Sequence, residues 1–145
     1  MKTMFEVLSF YLKGEVVMAS KLELYKCSVC GQIVEVVKDG AGELVCCGQP
    51  MELLAPQRTE NEKFEYHVPF VIEHEDCNEI QVGEKPHPMT QEHHIEFIEI
   101  YAKDNSKILR KYFTPDSHPS VKVPKCFGIG RAVAMCNLHG LWEKP

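Results

Sequence analysis

The segment that decides the fold is His94-Ile95-Glu96-Phe97-Ile98-Glu99-Ile100-Tyr101. Its β-branched and aromatic residues favour an extended strand. Similar short segments, separated by turns and prolines, lie at residues 68–73, 80–82, 108–113, 120–123 and 131–135. Six or seven short strands over about 90 residues predict a β-sandwich. Helical periodicity is absent, so the chain is predicted to be all-β.

The composition limits the classes of protein to which this chain can belong. With 145 residues it has room for one ordinary domain or two small ones. The hydrophobic share of 44% and the charged share of 26% are typical of a soluble globular protein, and no apolar run is long enough to span a membrane. The net charge of −5 argues against nucleic acid as a partner, since nucleic-acid binding needs a basic face.

Cysteine is unusually frequent for so short a chain. The seven cysteines cannot all pair within one molecule, and several of them are clustered: Cys27, Cys30, Cys46, Cys47, Cys77, Cys126 and Cys136. Glu6, Lys13 and Glu15 break any secretory signal near the start of the chain. We therefore expect a reducing, cytoplasmic location in which thiolates persist as metal ligands.

The first candidate metal site is Cys27-x2-Cys30 followed by the adjacent pair Cys46-Cys47. Four thiolates suit a tetrahedral zinc or iron ion, and the spacing alone leaves a structural zinc site and a redox iron site both open. The short strands around these cysteines predict a small metal domain at residues 21–56, followed by the sandwich at 57–145. A unit of about 35 residues is too small to fold on its apolar core alone.

Residues 1–20 are interpreted as an N-terminal extension. A second methionine, Met18, could be the true start, in which case the extension reflects a mis-assigned start codon. The alternative is a short amphipathic helix that presents Met4, Phe5, Leu8 and Leu12 on one face.

The second candidate metal site is spread along the predicted sandwich. Its members are the histidines His67, His87 and His93 and, after them in the chain, the segment Cys136-Asn137-Leu138-His139. Cys136 and His139 have chelate spacing, and a mixed imidazole and thiolate set suits iron, copper or zinc. Nucleophilic catalysis by Cys136 with His139 as base is the less favoured alternative, because a base three positions away seldom faces the nucleophile.

With both sets in place, the chain resembles the desulfoferrodoxins, the two-iron superoxide reductases, from about Leu22 to Glu143. The resemblance rests on the four-cysteine spacing and on three further motifs: Tyr66-His67-Val68-Pro69, His87-Pro88-Met89 with His93, and Cys136-Asn137-Leu138-His139-Gly140-x-Trp142. It implies a small desulforedoxin- or rubredoxin-like metal domain followed by an immunoglobulin-like β-sandwich. It also implies an anaerobic or microaerophilic cell, a rubredoxin-like electron donor and a homodimer.

The resemblance also assigns the site residues. One iron, or zinc in its place, would bind Cys27, Cys30, Cys46 and Cys47. The second iron would have four equatorial imidazoles and one axial thiolate: His67, His87, His93, His139 and Cys136. The open sixth position would accept superoxide, and one electron and two protons would convert it to hydrogen peroxide. His74, His94, His118, Cys77 and Cys126 match no ligand position.

One residue departs from the family pattern. Relatives usually place Glu-Lys before the first histidine, whereas this chain has Glu65 and Tyr66. Glu65 keeps its role at the open face, but the local cation is missing, which predicts a reductase of lowered efficiency. Lys63 is the nearest replacement in the sequence, and on a strand it would share a face with Glu65 and His67.

Two rival functions remain. A protein with the same metals but without efficient turnover would serve as an iron electron-transfer protein or a redox sensor. A purely structural zinc protein is the other alternative. Two irons per chain would exclude the zinc protein.

Overall fold

The computed structural model describes residues 18–145, which form two compact units divided between Ala55 and Pro56. The proposed mis-assigned start and the alternative amphipathic helix concern residues 1–17 and lie outside the described part of the chain. Within residues 18–145, no helix is long and apolar enough to cross a membrane.

The described part of the first unit, residues 18–55, contains seven short strands: β1 Met18–Ala19, β2 Leu24–Lys26, β3 Ile33–Glu35, β4 Gly40–Ala41, β5 Val45–Cys46, β6 Gln49–Pro50 and β7 Glu52–Leu53. The central sheet has the order β3-β2-β7, while β1 pairs with β4 and β5 pairs with β6. Every pairing is antiparallel. Only three apolar residues in the described part of this unit are buried, Ala19, Leu24 and Cys27, so residues 18–55 by themselves have almost no hydrophobic core.

The second unit is a sandwich of two antiparallel sheets. Its strands are β8 Pro69–Glu73, β9 Cys77–Val82, β10 Ile95–Ala102, β11 Ile108–Tyr112, β12 Ser120–Pro124, β13 Ile129–Cys136 and β14 Gly140–Glu143. One sheet has the order β11-β10-β13-β14 and the other β12-β9-β8. The core lies between them, with Ile80 and Val82 on one side and Ile98 and Ile100 on the other. The prediction of an all-β chain with a β-sandwich is confirmed.

All six strands predicted for the sandwich are present, but three short elements of the second unit were missed. They are β14, the 3₁₀ turn named below and a single helical turn, α1, at Phe64–His67. Asn61 starts this turn because its carbonyl accepts the Phe64 amide and its side chain accepts the Lys63 amide. The turn ends where Pro69 forces extended backbone on the preceding residue. A 3₁₀ turn at Lys125–Phe127 completes the described structure.

Candidate metal centres

The first candidate centre, the four-cysteine site, brings the thiols of Cys27, Cys30, Cys46 and Cys47 within 4.8 Å of one another. Cys46 and Cys47 can point at one place because Cys47 has a φ of 53° and Gly48 a φ of 70°. These two positive angles form the tight turn of the β5–β6 hairpin. The adjacent cysteines therefore splay across a turn, with their sulfurs 3.9 Å apart.

The electrostatics of the four-cysteine site suit a cation. The backbone N–H of Cys30 donates to the Cys27 sulfur and lowers the pKa of that thiol to about 6. The contact with Cys30, 3.7 Å between the sulfurs, raises the pKa of Cys46 to about 12. Four clustered thiols cannot all ionise without a positive charge among them, and a divalent metal supplies that charge. Cys27 is buried, whereas Cys30 and Cys47 are exposed.

The second candidate centre is built around four imidazoles, which we call the histidine square: His67, His87, His93 and His139. Neighbouring ring centroids lie 4.6 Å apart for His67–His87 and His87–His93, and 4.9 Å apart for His93–His139 and His139–His67. The diagonal between His67 and His93 is 6.3 Å. Residues far apart in the sequence therefore form a closed four-membered arrangement.

The hydrogen bonds of the histidine square leave metal-binding nitrogens facing inward. Nδ1 of His67 donates to the Lys63 carbonyl at 2.6 Å, and Nδ1 of His87 donates to the Pro88 carbonyl at 2.6 Å. Both rings therefore carry their proton on Nδ1 and present a bare Nε2. These two Nε2 atoms lie 3.1 Å apart. Two lone pairs at that distance repel each other unless a cation lies between them.

Ligand atoms of three members of the square, His67, His93 and His139, lie with that of Cys136 within 4.8 Å of one another, whereas His87 is outside this group. Two further observations favour a metal ion at the square. Burial lowers the pKa of His67, and it lowers the pKa of His87 to about 4, so both rings are neutral near pH 7. Within the described residues, the buried Nε2 of His93 has no hydrogen-bond partner. A buried nitrogen without a partner is costly, and a metal ion would satisfy it.

The histidine square has a buried thiol, that of Cys136, at one side and an open pocket at another. Cys136 is fully buried, and its sulfur lies 3.8 Å from Nδ1 of His139. Burial raises the pKa of the Cys136 thiol, while the backbone N–H groups of His139 and Leu138 oppose that rise. A pocket of about 680 Å³, lined by three of the four histidines but not by Cys136, opens beside the square. The thiol is therefore closed off, and the other side is accessible.

Two side chains that the sequence analysis did not single out, Asn137 and Gln57, hydrogen-bond to the loops that carry this centre. Cys136 ends β13, and Asn137 in the following loop accepts the His94 amide at 3.0 Å and donates to the Glu92 carbonyl at 3.0 Å. Gln57 donates to the His139 carbonyl at 2.6 Å. Asn137 could have been recognised from its place inside the Cys136 motif. No local signal marks Gln57, because its partner is 82 positions away.

Trp142 packs directly against the histidine square. Its indole is stacked on the ring of His67 with the centroids 5.0 Å apart, and its Nε1 donates to the His139 carbonyl at 3.0 Å. The side chain is 1% exposed. One buried aromatic residue therefore orients two of the four imidazoles.

The rim of the pocket carries Glu65, Tyr66, Lys63 and Lys85. Glu65 and Lys85 form an ion pair whose hydrogen bond raises the pKa of Lys85. The expectation that Lys63 lies on a strand and shares a face with Glu65 is wrong. Lys63 is instead the N-cap residue of the helical turn α1, and residues two positions apart on a helical turn do not share a face.

The remaining histidines and cysteines lie outside both centres. Nδ1 of His94 contacts the Thr90 carbonyl at 3.1 Å, and His74 pairs with Glu79 at 2.9 Å. Cys77 is half-buried and Cys126 is exposed. No group of three or more candidate ligands within the described residues includes any of them.

Known proteins similar to this chain combine the same two units. A family model described as the N-terminal domain of desulfoferrodoxin matches residues 19–54, and one described as desulfoferrodoxin matches residues 58–145. The desulfoferrodoxin of Syntrophotalea carbinolica is 46% identical over 126 residues, which cover 87% of this chain and 98% of that protein. A superoxide reductase of Pyrococcus horikoshii is 38% identical over 99 residues, 56% of this chain and 85% of that protein.

A solved structure has the same fold. The crystal structure of the superoxide reductase from Treponema pallidum aligns with a TM-score of 0.64 at 22% identity. The alignment covers 86% of this chain and 98% of that one.

Proposed function

This chain belongs to the desulfoferrodoxin family, and from that premise we propose that it reduces superoxide to hydrogen peroxide. In each turnover one superoxide takes up one electron and two protons, and no oxygen is released. The observation that carries the proposal is the histidine square, which has a buried thiol at one side and an open pocket at the other. Such a site can hold a metal ion and still admit a small anion.

We assign the catalytic iron to His67, His87, His93, His139 and Cys136. A ferrous ion held there would supply the electron to superoxide. The chain contributes the rest: carbonyl oxygens orient two imidazoles through Nδ1, and the N–H groups of Leu138 and His139 favour the thiolate form of Cys136. Glu65, which lines the pocket, is the residue that we assign to the open face.

We assign an auxiliary electron-transfer iron to Cys27, Cys30, Cys46 and Cys47, with zinc as the alternative metal. The exposed Cys30 and Cys47 support this role, because a donor protein could approach those sulfurs closely. A rubredoxin-like donor, a homodimer and a reducing cytoplasm complete the proposal. We keep residues 21–56 as the proposed domain for the first metal and residues 57–145 as the proposed domain for the second.

The test is the reaction of the reduced, iron-loaded full chain with a pulse of superoxide. We expect two irons per chain, a visible spectrum with both four-thiolate and ferric-thiolate bands, and one peroxide for each superoxide consumed. Zinc alone in the purified protein would contradict the proposal. Two irons with no faster loss of superoxide than in buffer would instead support the electron-transfer or sensing protein.

We expect the Tyr66→Lys variant to react with superoxide about threefold faster than the natural chain, because a cation at the pocket rim attracts an anionic substrate. This expectation follows from our proposal that the tyrosine lowers efficiency. The measurement is the second-order rate at low ionic strength. Tyr66→Phe is the matched control and should leave the rate within about twofold, since it alters no formal charge. An equal rate for the lysine variant and the natural chain would refute the lowered efficiency.

A further inference from the structure

Backbone hydrogen bonds fix the position of Lys85 beside the open pocket. Its amide donates to the Glu65 carbonyl at 3.1 Å, and the Gly83 amide donates to the Val68 carbonyl at 3.0 Å. Gly83 has a φ of 79°, and a Cβ at that position would lie 2.6 Å from the Tyr66 carbonyl oxygen. The loop therefore packs tightly on the helical turn α1, which fixes where the lysine side chain starts.

The side chain of Lys85 reaches the same rim. Its Nζ pairs with Oε2 of Glu65 and lies 5.8 Å from the centroid of the Tyr66 ring. The side chains of Lys85 and Glu65 are 56% and 50% exposed. An ion pair so exposed contributes little to stability, so an incoming anion can compete for the ammonium group at little cost.

The charge of Lys85 offsets acidic groups that line the pocket. The residues that line the pocket include two glutamates and two lysines: Glu62, Glu65, Lys63 and Lys85. The two signs cancel. Without the charge of Lys85, a protein of net charge −5 would present an excess of acidic groups to an anionic substrate.

We propose that Lys85 is the cation that draws the anionic substrate to the open side of the histidine square, and that Glu65 and the ring of Tyr66 hold its ammonium group at the rim. The inference rests on the proposed superoxide reduction. It assigns to the loop after β9 the charge that the resemblance places at position 66. Lys85 precedes His87 by two positions, so the same loop carries the cation and one member of the square.

The first test is the rate of the iron-loaded full chain with superoxide. We expect Lys85→Gln to lower the second-order rate about tenfold at low ionic strength, and we expect the loss to shrink as salt screens the charge. Lys85→Arg should stay within about twofold of the natural chain. Lys122→Gln, on the exposed part of β12 and outside the pocket, makes the same change in net charge and should leave the rate unaltered.

The second test does not depend on turnover. Azide, a small inert anion, is titrated against the ferric protein and followed by its absorption band. Lys85→Gln should weaken azide binding severalfold, and Lys85→Arg should restore it. Tyr66→Lys should raise the superoxide rate more in the Lys85→Gln background than in the natural chain, because the two cations serve one pocket.

The outcomes separate this inference from the function on which it rests. If the natural chain fails to react with superoxide, the proposed function falls. If it reacts and Lys85→Gln leaves both the rate and azide affinity unchanged, only the role of Lys85 is overturned. A larger loss for Lys63→Gln than for Lys85→Gln would also overturn it, because Lys63 would then be the effective cation.

Discussion

Replacing Cys136 by serine is expected to lower the rate of reaction with superoxide by at least about a hundredfold. Mutating a residue that only hydrogen-bonds to a metal ligand typically lowers metal affinity or activity by about ten- to a hundredfold, and loss of a ligand should cost at least as much. The sulfur is fully buried beside the histidine square. The four imidazoles carry no charge when they bind a metal, so the thiolate is the only anionic ligand among the five that we propose. A serine hydroxyl at that position stays protonated and cannot replace it.

The Cys136→Ser experiment needs three measurements on the same protein. Iron content and the ferric-thiolate band report on the centre, and pulse radiolysis reports on the rate. Urea unfolding followed through Trp142, the single tryptophan, shows whether the second unit still folds. Cys126→Ser is the matched control, because that cysteine is exposed and lies outside both centres. A folded Cys136→Ser protein that retains its iron and reacts within tenfold of the natural rate would contradict the ligand assignment.

The sandwich could be predicted because its strands differ in composition from the segments between them. β-branched and aromatic residues mark a strand wherever they cluster, and β10, in which seven of the eight residues are buried, is the strongest example. The helical turn α1 could not be predicted in this way. Its four residues are too few to show a period of 3.6, and it depends on hydrogen bonds to Asn61.

The candidate ligands could be chosen from spacing and resemblance, whereas Lys85 at the rim of the pocket could not. Ligand types are restricted to a few residues, so His87 and His93 stand out in the sequence. Lys85 does not, because lysine is common and its partner Glu65 is 20 positions away. Only the tertiary hydrogen bond from the Lys85 amide to the Glu65 carbonyl brings the two together. When only residues close in sequence to Glu65 are considered, Lys63 is chosen as the replacement cation instead.

Loss of the metal from the four-cysteine site is expected to unfold the first unit while the second unit remains intact. Only three apolar residues in the described part of the first unit are buried, and one of them, Cys27, is itself a candidate ligand. Structural metal ions contribute about 10–16 kcal/mol to folding in small domains, far more than so small a core can supply. Cys27→Ser should therefore abolish the structure of residues 18–55 in the full chain.

Nuclear magnetic resonance measures the two units in one sample. In zinc-loaded Cys27→Ser, the amide signals of the first unit should collapse to the narrow range of an unfolded chain, while those of the second unit keep their dispersion. Ser28→Ala, one residue further along the same exposed turn, should change neither set. In iron-loaded protein the rate with superoxide should stay within about twofold, because the groups around the pocket belong to the second unit. If the amide signals of the first unit stay fully dispersed when its metal is absent, the pairings of β2 with β3 and β7 stabilise this fold without the metal, which would contradict the prediction.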